Sequence, residues 1–224
     1  AGEGDDFVIA GDGEDAVFGD SGDDWEEGGN GPDLLQGDSG NLFFLDDSNK
    51  PGNDVLIGQG GDDDYDMEGG DDIGVQGPGI EKNAGGSGYD WSIAGTPALG
   101  GDDQPLNADL SLPLTGLDVL TIGVRDRYNE VEALSGGRRD DVLRGDDLVP
   151  ATVGGDGFLG CDALDSAGVA RIAGLDQLVT DFPTPLSAVS NETGRACDLQ
   201  DTVWGEGNIL LGGDGNDILQ GRLG

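Results

Sequence analysis

From the first residue, apolar positions come in short clusters nine residues apart, separated by stretches rich in Gly and Asp. Nine-residue blocks counted from Ala1 run without a gap to Leu45. Asp46, Asp47 and Ser48 are then extra, and five further blocks run from Asn49 to Ile93. The last three positions of a block predict a short strand, whose middle side chain points inward because side chains alternate along a strand. That eighth position reads Val8, Val17, Glu26, Leu35, Phe44, Leu56, Tyr65, Gly74, Asn83 and Ser92. Six of these suit a core, whereas Glu26, Gly74, Asn83 and Ser92 are poor filling.

The polar part of the block is as regular. Glycine holds the fourth position in all ten blocks. Aspartate holds the sixth in eight, namely Asp6, Asp15, Asp24, Asp33, Asp54, Asp63, Asp72 and Asp90; Glu81 is a near miss and Leu42 a failure. Glycines allow a hexapeptide to curl until its carbonyls share one centre. An added carboxylate makes a hard, all-oxygen site suited to Ca²⁺. An EF-hand is excluded: Asp62, Asp64 and Asp66 have its opening spacing, but Met67 replaces the required glycine and Ile73 the closing glutamate.

Charge sharpens this. The 224 residues carry 47 Asp plus Glu against 10 Lys plus Arg, for a net charge of −37, with 45 Gly. Without the repeats such a composition would indicate disorder. It argues against nucleic acid and anionic lipid as partners and favours multivalent cations. Histidine is absent, which removes the commonest general base, zinc ligand and proximal haem ligand. No apolar run approaches the ~20 residues of a membrane span, and no signal peptide opens the chain. Beginning at AGEGDD and stopping at GRLG, each inside a repeat, the sequence reads as a piece of a longer protein.

These blocks resemble the RTX, or haemolysin-type, calcium-binding nonapeptide family. The resemblance implies an all-β fold, a parallel β-roll in which two nonapeptides make one turn and calcium sits between the loops of repeats n and n+2. The implied ligands are Asp6, Asp15, Asp24, Asp33, Asp54, Asp63, Asp72 and Asp90, then Asp141 and Asp217. The loop glycines Gly2, Gly4, Gly11, Gly13, Gly22, Gly29, Gly31, Gly61, Gly86, Gly88, Gly213 and Gly215 join them. Leu42 should leave its loop poor in calcium.

If two blocks make a turn, even-numbered blocks share a face: Ala16/Phe18, Leu34/Gln36, Val55/Ile57, Ile73/Val75 and Trp91/Ile93. The odd face, Phe7/Ile9, Trp25/Glu27, Phe43/Leu45, Asp64/Asp66 and Lys82/Ala84, turns polar halfway. An exposed even face would be a large sticky patch, so a cover is expected, most simply residues 94–134 folding back. The alternative is that these residues merely favour strand.

After Ile93 the nonapeptide stops. LNADLSL and GLDVLTIGV read as β with loops. Gly136–Arg144 restores the repeat, with Asp141 sixth and Arg139 in place of the fourth glycine; Val203–Leu211 and Gly212–Gln220 continue it, with Asn208 and Asp217 sixth. The expected organisation is a roll at 1–93, a β-rich connecting module packing on it at 94–134, a second array at 135–147 plus 203–224, and an inserted, loop-rich excursion at 148–202. One short helix is expected within GCDALDSAGVARIAGLDQLV, weakened by Gly168 and Gly174. Cys161 and Cys197 both fall in the excursion, either as a disulfide or as two buried thiols. Asn191 opens a formal glycosylation triplet.

The segments DDWEEGGNGPDLLQGDSG, KPGNDVLIGQGGDDDYDMEGGDD and DDVLRGDDLVP with GFLGCDALD are similar to the RTX region of very large secreted bacterial peroxidases of the animal haem type. That resemblance places any haem chemistry outside this chain. The expected function is a non-enzymatic, extracellular calcium-binding module, secreted or at the cell surface. Residues 1–93 hold 25 acidic and two basic residues, and should stay expanded until calcium fills the loops. The family resemblance implies export through type I secretion machinery. An adhesin or matrix module docking a cell-surface partner is a second reading, and a solenoid polysaccharide lyase or epimerase a third.

Overall fold

A computed structural model describes residues 1–38, 51–97, 103–115, 125–148, 162–181, 184–185, 202–204 and 207–223. The three-residue clusters form strands, and the glycine loops between them reverse the chain. Strands β1 (Phe7–Asp12), β3 (Trp25–Asn30), β5 (Val55–Gly60), β7 (Ile73–Gln76), β9 (Trp91–Ala94), β12 (Ala133–Ser135) and β16 (Ile209–Leu211) make one seven-stranded sheet in that order. Strands β2 (Ala16–Phe18), β4 (Leu34–Gln36), β6 (Asp64–Asp66), β8 (Lys82–Ala84) and β11 (Arg127–Asn129) make a five-stranded wall opposite. A third sheet joins β10 (Asn107–Asp109), β13 (Val142–Arg144) and β17 (Ile218–Gln220). All pairings in the three sheets are parallel; β14 (Thr184–Pro185) and β15 (Thr202–Val203) form a separate antiparallel pair. The fold is a parallel β-roll, as the repeat predicts, with Phe7 opposite Trp25 two nonapeptides later.

The expected division of faces needs correction. Trp25 pairs with Val55 and Leu34 with Asp64, steps of 30 residues where the other turns within residues 1–93 take 18. The excess of twelve equals one nonapeptide plus the three extra residues. The alternation passes from the fourth block to the sixth, so parity inverts there. Val55/Ile57, Ile73/Val75 and Trp91/Ile93 therefore share a sheet with Phe7/Ile9 and Trp25/Glu27, while Asp64/Asp66 and Lys82/Ala84 follow Ala16/Phe18 and Leu34/Gln36. Phe43, Phe44 and Leu45 lie outside the described residues. The omitted block is the one whose sixth position is Leu42.

The cover also differs from expectation. Trp91, Tyr89 and Ala133 pack with Leu164, Val169, Leu175, Val179 and Ile209, flanked by Ile73, Ile93, Ile172, Trp204 and Leu211. The apolar strip is thus covered at its C-terminal end by residues 162–179. The strands of the 94–134 stretch instead lengthen the sheets, β11 and β12 continuing the two walls. The cover contains the helix Ser166–Arg171, whose N-cap Asp165 accepts the N–H groups of Ala167 and Gly168. The helix packs closely at Gly168, where a Cβ would lie 2.5 Å from Asp71 Oδ2 and 2.6 Å from Leu164 Cδ1. At the other end the strip is open, with Phe7 65% exposed and stacked on Trp25.

Inside, Val17, Leu35, Leu56, Tyr65 and Met67 form the core. The poor filling is accommodated individually. Met67 Cε occupies the space beside Gly74, 2.5 Å from where a Cβ would stand. Asn83 is fully buried but exchanges side-chain hydrogen bonds with Gln76. Tyr65 accepts the Gly58 N–H and donates to the Val75 carbonyl. Glu26, also fully buried, has no such arrangement. Cys161, Cys197 and Asn191 lie outside the described residues.

Candidate metal centre

Every regular loop ends on its sixth residue, immediately before a strand, and that carboxylate is used on two sides. One oxygen accepts the N–H of the equivalent residue a turn earlier: Asp6 to Asp24 (2.7 Å), Asp15 to Asp33 (2.9 Å), Asp24 to Asp54 (2.8 Å) and Asp33 to Asp63 (2.9 Å). The series continues from Asp54 to Asp72 (2.7 Å), Asp72 to Asp90 (2.9 Å) and Asp141 to Asp217 (2.9 Å). The second oxygen, Oδ2, of Asp15, Asp24, Asp33, Asp54, Asp63, Asp72 and Asp90 is buried without a hydrogen-bond partner. An anionic oxygen left so is costly unless something else binds it.

Carbonyls approach the same places. Around the point where a Cβ on Gly19 would stand lie Gly37 O at 2.3 Å and Asp24 Oδ2 at 2.4 Å. Asp54 Oδ2 and Met67 O surround the equivalent point at Gly37, Asp90 Oδ2 and Glu130 O that at Gly85, and Asp141 Oδ2 and Gly212 O that at Gly136. Each pairs a carboxylate with a carbonyl from the next turn of the roll. Among the described residues no three acidic side chains already stand together as a metal-binding group. The remaining oxygens of a six- to eight-fold calcium shell must therefore come chiefly from the backbone. The donor set is hard and buried, its carboxylate oxygens unpartnered except Asp141 Oδ2, which accepts the Gly137 N–H at 2.7 Å, and it fits such an ion.

The twelve loop glycines named from the sequence all have φ between +85° and +158°. Their need is clearest in the fourth-position column: a Cβ on Gly31 would lie 1.6 Å from Gly13 O, and one on Gly88 1.3 Å from Gly70 O. Asp6 and Asp217 are partly exposed at the two ends of the stack. Asp64 and Asp66 lie on β6, and Asp64 pairs with Lys82 rather than entering a loop site.

Two carboxylates that the repeat count passed over, Glu132 and Asp126, continue the stack together with Glu81, the near miss. Glu132 Oε2 accepts the Asp90 N–H at 2.8 Å, and Asp126 accepts the Glu81 N–H at 3.2 Å. Glu81 itself is buried, with Oε1 unpartnered. Each stands directly before a strand, the signal by which it could have been found. A second ladder runs through the fifth position in the opposite sense. There Asp23 accepts the Asn53 N–H, Asn53 that of Asp71, and Asp71 that of Tyr89. Neighbouring turns are thus stapled in both directions.

Burial pushes the Asp54 carboxyl up to about 8 and that of Asp63 up to about 6. Burial is also the main cause that raises Asp72, Asp90 and Glu132, with carboxylate neighbours adding to it. Groups raised in the fold bind protons more tightly than in the open chain. Their contribution is fully present below the unfolded value of 3.8 and is lost as pH rises through 6 to 8. The calcium-free chain, a coil at about pH 8, is accordingly expected to gain β structure at about pH 5, and added calcium to remove the difference. Circular-dichroism spectra at the two pH values check this; a calcium-free chain with no more β structure at the lower pH contradicts it.

The RTX calcium-binding nonapeptide repeat model matches the chain in four copies, over residues 1–26, 27–41, 50–73 and 205–224. No curated protein and no solved structure matches it. The matched stretches stop short of Glu81, Asp90 and Asp141, which the hydrogen-bond ladders include.

Proposed function

We propose that this chain, which carries RTX calcium-binding nonapeptide repeats, is a calcium-dependent folding module of a larger secreted protein. The observation that carries the reading is the stack of sixth-position carboxylates, in which Asp24, Asp33, Asp54, Asp63, Asp72 and Asp90 each staple the turn before with one oxygen and keep the other buried and unpartnered. Calcium supplies the charge that lets these carboxylates stack. In its absence the acidic first 93 residues repel one another, and the chain stays extended. Sites in the ~10⁻⁴–10⁻³ M range of extracellular modules would be empty in a cytosol and filled outside. Such a chain would pass a type I secretion channel unfolded and fold on exit. The ligands are Asp24, Asp33, Asp54, Asp63, Asp72, Asp90 and Asp141, with Asp6, Asp15 and Asp217 toward the ends and the loop carbonyls between them. The parent that the segment order favours is a large secreted bacterial peroxidase whose haem domain lies elsewhere.

Circular dichroism of the chain with calcium chelated and then restored to millimolar concentration tests the proposal. A coil that becomes β-rich supports it; a β spectrum indifferent to chelation defeats it.

A further inference from the structure

The 30-residue step of the roll buries acidic residues that the nonapeptide pattern does not require. Glu26, Asp38 and Asp54 are 0%, 4% and 1% exposed. Only Asp54 occupies a sixth position. Asp38 is a second-position residue, and both its oxygens are engaged: they accept the N–H groups of Gly52 at 2.8 Å and Gly69 at 3.2 Å. Glu26 is different. Strand register places it between Val8 and Leu56, in the column that fills the roll. Neither of its oxygens has a hydrogen-bond partner, and no described ion pair reaches Glu26, Asp38 or Asp54. Packing gives no reason for a carboxylate there, since Leu35 and Leu56 fill the same position.

Glu26 stands two residues after Asp24 and its register partner Leu56 two residues after Asp54, so strand alternation turns the three carboxylates to the same side of the sheet, where the Asp24 N–H already donates to Asp54 Oδ1. Asp24 Oδ2 and Asp54 Oδ2 are likewise buried and unpartnered, and Gly37 O and Met67 O lie beside them. The two oxygens of Glu26, on the same side of the adjoining strands, would bring these four hard donors to six, the lower limit of a calcium shell. One proton would neutralise a single carboxyl of the three. A divalent cation neutralises two and offers a partner to every unsatisfied oxygen.

We propose that the seam where residues 19–24 meet Gly37 and Asp54 holds a divalent-cation site in which Glu26, an interior residue outside the repeat pattern, is a carboxylate ligand with Asp24 and Asp54. The inference rests on the calcium-module reading. The three carboxylates do not stand as one group without the ion, and Glu26, held by no hydrogen bond, is the one that turns in. The seam site thereby takes over from the block whose sixth position is Leu42.

The test counts calcium bound per folded chain, by equilibrium dialysis and calorimetric titration, in the wild type, Glu26→Gln, Glu26→Leu and Glu27→Gln. Glu27 carries the same charge one residue on, and its oxygens are held by Trp25 and Gln59. Both Glu26 variants should bind one calcium fewer, or bind one about tenfold or more weakly, since affinity follows ligand charge; Glu27→Gln should match the wild type. Leu, the residue type of the neighbouring positions, guards against a folding failure of the amide. Glu26 variants that keep the wild-type count and affinities overturn the proposal and make Glu26 a buried neutral acid. A wild type that binds no calcium instead defeats the module reading on which it rests.

Discussion

Asp72→Asn is expected to raise the calcium concentration at which the chain folds by about tenfold or more, because one ligand charge is lost. Asp72 is fully buried at the middle of the stack. Its Oδ1 accepts the Asp54 N–H, and its own N–H donates to Asp90 Oδ1. An asparagine oxygen preserves the first bond and the backbone preserves the second, so the ladder survives in outline. What changes is Oδ2, buried without a partner, which becomes an amide nitrogen that cannot bind a cation. The effect should therefore appear in the calcium midpoint of the circular-dichroism transition and far less in the spectrum at saturating calcium. Asp6→Asn, at the partly exposed end of the same column, should shift the midpoint much less. Equal midpoints for Asp72→Asn and the wild type would remove Oδ2 from any part in the site.

Gly88→Ala should be more damaging than any single aspartate change, and calcium should not rescue it. The added Cβ would stand 1.3 Å from Gly70 O and 2.4 Å from its carbon, both backbone atoms of the next loop. No rotation relieves that contact. Gly88 also has φ of +140°, where a Cβ is itself disfavoured. Parting the two loops breaks the stack between Asp72 and Asp90, for a combined cost on the order of 4 kcal/mol or more. Gly221→Ala is the matched control, since nothing lies within 4 Å of its Cβ position. Thermal melts at saturating calcium decide the matter. If the two alanine variants melt together, the fourth-position column does not set the spacing of the turns.

Much of the local chemistry was legible in the chain. A nine-residue period carries its own explanation: three residues alternate as strand, and six turn on glycines that must occupy positive φ. Asp24, Asp54 and Asp72 were recognisable because position and residue type recur together. Glu132 and Asp126 were not, because their surroundings have lost the glycines while their place before β12 and β11 persists. The fifth-position ladder was overlooked for another reason. Asp23, Asn53 and Asp71 look like solvated loop residues, and only the approach of the next turn turns their side chains into backbone acceptors.

The parallel roll with two blocks to a turn was implied by the resemblance of the repeat to the RTX family. By itself the sequence determined the repeat and the carboxylates of its loops. These follow from short-range rules, in which each residue answers to neighbours a few positions away. Which turns count toward the stack was decided only by the tertiary structure. A twelve-residue excess inverts the faces without disturbing any single block, because strand pairing is satisfied equally well after 18 residues or 30. The cover was settled in the same way. Leu164, Val169 and Leu175 reach Trp91 across more than seventy residues of chain, and no local pattern records which apolar surface will meet which. Glu26 belongs to both accounts: as a letter it was a flaw in the core, and only strand register sets it, buried and unpartnered, on the side of the sheet that Asp24 and Asp54 share.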